Sequence, residues 1–90
     1  MTKINITPEQ LRSVAATFKQ KSSESQQMIS QLEGQVNGMQ SEWAGMSSQK
    51  FYGEYQSWRT SMQQFTQLLD GIAQQLEAIA AAFAATDGQG

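Results

Sequence analysis

The sequence predicts an all-α fold: an antiparallel helix-turn-helix hairpin that dimerises into a four-helix bundle. Three observations carry this. Apolar residues recur in two long runs at alternating spacings of four and three, the seam of a left-handed bundle. The only proline stands at position 8, where it starts a helix instead of breaking one. Between the runs, Glu42-Trp43-Ala44-Gly45-Met46-Ser47-Ser48 interrupts the pattern at the chain's midpoint. The expected layout is one domain over 1–90: a helix about 8–42, a turn about 43–47, a helix about 48–86 and a short tail 87–90.

The first helix opens on Thr7-Pro8-Glu9-Gln10. Thr7 is the expected N-cap, and Gln10 completes a capping box with it. Ile6 and Leu11 stand where a hydrophobic staple forms. The seam then reads Leu11, Ala15, Phe18, Ser22, Ser25, Ile29, Leu32, Val36, Met39, Trp43, with Val14 and Met28 beside it. Ser22 and Ser25 are its anomaly, either a weak spot or a waist where small residues let helices approach. Gly34 and Gly38 share one face and suggest close packing, although each costs about 1 kcal/mol relative to alanine.

In the turn, Gly45 supplies a left-handed backbone conformation that is cheap only for glycine, and Ser47 or Ser48 is the expected cap of the second helix. The second seam is unbroken: Phe51, Tyr55, Trp58, Met62, Phe65, Leu69, Ile72, Leu76, Ile79, Phe83. Tyr52 and Leu68 widen the stripe, and Gly88 is the expected terminator. Folding the chain near residue 46 sets Met39 near Tyr55, Leu32 near Met62, Ser25 near Leu69, Phe18 near Leu76 and Leu11 near Phe83. The two serines then face Phe65, Leu69 and Ile72, small against large. Trp43 closes one end of the seam, and full burial there makes Trp43→Ala cost about 3–5 kcal/mol.

Two helices alone bury one line of side chains against the entropy of ordering the whole chain. That imbalance points to a second hairpin, with Val14, Met28, Tyr52 and Leu68 serving the interface. The seam has no unpaired charge block demanding a different complement, which favours a homodimer. Lys3, Arg12, Lys19 and Lys21 make the start basic, and beyond Arg59 only Asp70, Glu77 and Asp87 are charged. The antiparallel fold brings these opposite signs together.

Composition excludes several functions. With 90 residues the chain has room for one small core. It has no cysteine and no histidine, so disulfides, the usual zinc-ligand sets and the commonest catalytic bases and nucleophiles are missing. Glu24, Glu33, Glu42 and Glu54 are scattered and do not pair toward the seam. No cofactor and no enzyme activity are expected. A net charge of −2 argues against nucleic acid. No apolar run reaches the ~18 residues of a membrane span, no basic amphipathic stripe supports membrane lysis, and stable insertion is not expected. The first residues lack the apolar stretch of a signal peptide. Taken alone, these features read as soluble and cytoplasmic.

Trp43-Ala44-Gly45 between two long helices, the Ile6-Thr-Pro-Glu-Gln-Leu11 start and the Ser47-Ser-Gln-Lys-Phe51 run resemble the WXG-100 family, the Esx-type substrates of type VII secretion. The resemblance covers essentially the whole chain. It implies an antiparallel dimer, either with itself or with a paralogous Esx protein. It also implies secretion without a cleaved signal peptide through a machine driven by an FtsK/SpoIIIE-type ATPase. Finally, it implies a composite export signal, the Trp43–Gly45 turn of one copy beside a Tyr-x-x-x-Asp/Glu tail of the other. Here the tail reads Phe83-x-x-x-Asp87, with phenylalanine in place of tyrosine. Asp87 is the stronger recognition candidate, because packing explains Phe83. The competing reading is a cytoplasmic helical adaptor or chaperone that pairs with other coiled-coil proteins and is never exported.

Overall fold

A computed structural model describes the backbone of residues 5–89 and the side chains as far as Ala85. Helix α1 runs Pro8–Met39 and helix α2 runs Met46–Gln89. They fold back on each other as a rod of 68 × 23 × 15 Å. All regular structure among the described residues is helical.

Helix α1 begins as its sequence dictates. The Thr7 side chain accepts from the Gln10 N–H at 3.1 Å, and Gln10 Oε1 accepts from the Thr7 N–H at 2.8 Å. Two otherwise orphaned donors are thereby satisfied, with Pro8 at the first helical position. Leu11 is buried, while Ile6 stays exposed and lines a shallow groove with Gln10, Ser13 and Val14.

The helix ends differ from the expected ones. Helix α1 stops at Met39, not near residue 42. Gly34 and Gly38 weaken its last turns, and the Met39 carbonyl accepts from both Glu42 and Trp43 N–H groups at 3.0 Å, tightening the chain into a turn. Helix α2 starts earlier, at Met46, and its first backbone bond runs from Gln49 N–H to Gly45 O at 3.1 Å. Gly45 is therefore the N-cap. Neither Ser47 nor Ser48 caps, and the Ser48 hydroxyl donates back to Gly45 O at 2.8 Å. Gly88 lies inside α2 and does not end it, since one glycine costs a helix only about 1 kcal/mol. A β-carbon added at Gly34 or Gly38 would meet nothing within 4 Å, so these glycines mediate no close packing in the hairpin.

The core differs most from the expected seam. Its buried members are Leu11, Ala15, Ile29, Tyr55, Ala73 and Ala80, with Ser22, Ser25, Ser48 and Thr66. On α2 the central track is Thr66, Ala73, Ala80, which is small and repeats every seven residues. Of the predicted seam, Phe18, Met62, Leu69, Ile72, Leu76 and Phe83 are half-buried, and Leu32, Met39, Trp58, Phe65 and Ile79 are exposed. On α2, small residues thus line the joint along Thr66, Ala73 and Ala80, and the large side chains of Trp58, Phe65 and Ile79 face away from it.

The register slips accordingly. Ser25 meets Thr66, not Leu69, through their two hydroxyls, and the Ser22 hydroxyl donates to the Thr66 carbonyl at 3.4 Å. That is a shift of three residues on α2, nearly one turn. The physical cause is the cost of burying a hydroxyl without a partner. Facing Phe65, Leu69 and Ile72, the serines would have none. Facing Thr66, they are satisfied, and Thr66 Oγ1 also donates to Met62 O at 2.9 Å.

Candidate functional site at the turn

The turn is built on one backbone feature. Gly45 has φ +119°, a conformation that any side chain makes costly. Reversing direction there brings Trp43 back onto the first turns of α2. Its ring lies 5.5 Å from that of Phe51 and 6.0 Å from that of Tyr52. Phe51 is the hub: its ring is also 5.4 Å from Tyr52, 6.3 Å from Tyr55 and 6.1 Å from Trp58. These are separations at which tilted and edge-on aromatic pairs attract.

Trp43 does not occupy the tenth seam position expected of it. It stands outside both helices, 36% exposed, with one side on the aromatic cluster and the other open. Trp58 and Met46 are exposed at the same end. The result is an apolar ridge suited to binding. Among the described residues no His/Cys/Asp/Glu group is placed to hold a metal. The Tyr52 and Tyr55 hydroxyls are buried there without a hydrogen-bond partner among the described residues.

The second half of the expected signal lies elsewhere. Phe83 is half-buried in α2, at the open end of the rod, and the Asp87 side chain lies outside the described residues. A single hairpin therefore does not bring Phe83 to Trp43.

Two further faces flank the joint. On one, Lys21, Glu24, Ser25, Met28, Ser61, Met62, Phe65 and Leu69 line an apolar groove of about 560 Å³. On the other, Gln26, Ser30, Glu33, Arg59, Gln63 and Gln67 line a polar one, where Arg59 Nε donates to Glu33 at 3.0 Å. No helix among the described residues is long and apolar enough to cross a membrane.

Seam periodicity does not single out Phe51 as the hub, Thr66 as the partner of both serines, or the Arg59–Glu33 pair. One signal is present in the residues. Hydroxyl or small residues at 66, 73 and 80 repeat every seven residues beside the large seam, as a second, narrower track.

Comparison with known proteins agrees with this geometry. The chain is 31% identical to the protein YukE of Bacillus subtilis over 84 residues, covering 93% of this chain and 87% of that one. It is 29% identical to the type VII secretion system extracellular protein A of Staphylococcus aureus over 89 residues, covering 99% and 92%. The crystal structure of the secreted protein EsxB from Bacillus anthracis superposes with a TM-score of 0.85 at 41% identity, covering 97% of this chain and 99% of that one. The family described as proteins of 100 residues with WXG matches residues 3–88, and with its Trp43-Ala44-Gly45 turn joining two long helices the chain belongs to this WXG100 family of small type VII secretion proteins.

Proposed function

We propose that the protein is a type VII secretion substrate that works as a homodimer and presents the Trp43–Gly45 turn as half of its export signal. The observation that carries this is the state of Trp43. It is anchored on Phe51 and Tyr52 yet open on one side, which a purely structural plug would not be. Phe83 and Asp87 of the second copy complete the signal, and an FtsK/SpoIIIE-type ATPase reads it. A paralogous Esx chain is the other partner that fits the same face. The protein acts by binding and not by catalysis, since its chemistry-bearing residues are few and dispersed.

The dimer is supported by the apolar face that the hairpin leaves uncovered. Met28, Leu32, Trp58, Phe65, Leu68 and Ile79 are all exposed, more large apolar surface than an isolated chain of this size presents without a partner. Light scattering is expected to give twice the chain mass.

The export assay follows the intact chain into the medium of growing cells that carry the secretion ATPase. Trp43→Ala and Asp87→Ala are expected to block export, and Asp87→Ala to do so without lowering the melting temperature. Strict retention of the wild-type chain would favour the cytoplasmic adaptor instead. Normal export of both variants would remove the turn and tail from the signal.

A further inference from the structure

The chain has five methionines and no cysteine, so its oxidisable sulfur is all thioether. Met1 lies outside the described residues. The other four are graded in exposure. Met46 is 88% exposed, against 49% for Met28 and 38% for Met39, and Met62 is half-buried. Among the described residues no other large apolar side chain stands as far into solvent as Met46. Packing within the hairpin gives no reason for it.

Its position is equally distinct. Met46 is the first residue of α2, directly after the positive-φ Gly45 and three residues from Trp43. Met28 and Met62 line the apolar groove beside the joint, and Met39 closes α1. A polar atom added to Met28 or Met62 enters that groove. The same atom on Met46 enters solvent and leaves the packed contacts in place. The helix start also favours it. The N–H groups in the first turn of a helix have no helical acceptor, and the first turn of α2 holds no acidic residue. The partly negative oxygen of a sulfoxide suits that end of the helix dipole.

We infer that Met46 is a modification site for peroxides, at which one oxygen atom turns the ridge beside Trp43 from apolar to polar without disturbing the hairpin. The sulfur lone pair attacks one oxygen of hydrogen peroxide. An S–O bond forms and the O–O bond breaks. The proton of the transferred hydroxyl passes to the departing hydroxide, which leaves as water. The sulfur loses two electrons and the peroxide gains them. A sulfoxide reductase reverses the step, two thiols closing to a disulfide as the oxygen leaves as water. The chemistry is the same whether or not the ridge is an export signal.

The test is brief treatment of the purified protein with dilute hydrogen peroxide, with tandem mass spectrometry assigning oxidation to each methionine. Met46 is expected to oxidise several-fold faster than Met28, Met39 and Met62. Protein oxidised at Met46 is expected to keep the wild-type melting temperature and to elute earlier from a phenyl column in its folded state. Met46→Leu keeps the apolar surface and is expected to show no such shift after the same treatment. Met46→Gln is expected to elute early without peroxide. Oxidation of Met28 or Met62 ahead of Met46, a lowered melting temperature when Met46 alone is oxidised, or the same elution shift in Met46→Leu overturns the inference.

Discussion

The closed end of the hairpin and its middle are built from opposite materials. At the turn, five aromatic rings, Trp43, Phe51, Tyr52, Tyr55 and Trp58, pack within 6.3 Å of one another in a connected chain of contacts. In the middle, polar groups stand where a core would ordinarily hold leucine or isoleucine: the Ser25 and Thr66 hydroxyls meet, and the Ser22 hydroxyl donates to the Thr66 carbonyl. Apolar burial and ring contacts hold the first region, and satisfied polar groups with close helix approach hold the second. The difference shows where the hairpin is self-sufficient. The turn has its stabilising contacts within one chain, whereas the middle leaves Met28, Met62, Phe65 and Leu69 uncovered beside a polar joint. On the proposed homodimer reading, a second chain supplies the missing burial at the middle, while the turn stays free to be read.

Substitutions break or sharpen this contrast, and they are best compared by thermal melting at one fixed protein concentration. The largest effect is expected for Tyr55→Ala. It removes a buried ring that touches the hub, at about 3–5 kcal/mol. A loss under ~1 kcal/mol would mean that the turn is not the stable end. Next is Ser25→Leu, which forces a branched side chain into the close joint and removes a partner of Thr66, at about 1–3 kcal/mol. A higher melting temperature would show that the waist is loosely packed. Trp43→Ala, at a residue already partly in solvent, is expected to cost about 2 kcal/mol, below the ~3–5 of a fully buried aromatic. Gly45→Ala is expected to cost about 1–2 kcal/mol through its positive φ alone, since the added carbon meets no atom within 4 Å. The smallest effect, and the sharpest, is Tyr55→Phe. Its hydroxyl is buried with no partner among the described residues, so its removal is expected to be neutral or stabilising by up to about 1 kcal/mol. A clear loss would reveal a hydrogen bond from the second chain.

Much of the fold was legible in the residues. The start at Thr7 and Pro8 comes from cap chemistry that is complete within four residues. The reversal at Gly45 comes from the one residue type that tolerates its backbone angle. Two helices come from periodicity that needs no knowledge of what lies opposite. The Trp43–Gly45 candidate was equally plain, because the motif and the turn coincide in sequence.

The sequence alone could not determine which edge of each apolar stripe faces inward. The helix α2 stripe is broad enough to offer two tracks, a large one through Trp58, Phe65 and Ile79 and a small one through Thr66, Ala73 and Ala80. Periodicity ranks the large track first. The tertiary structure chose the small one, where Thr66 offers its hydroxyl to Ser25 and its carbonyl to Ser22 and small residues let the helices close around them. Local patterns thus determined the helices, the turn and the family motif. Only the packing of one helix on the other decided the register and the outward face, since each depends on partners far away along the chain.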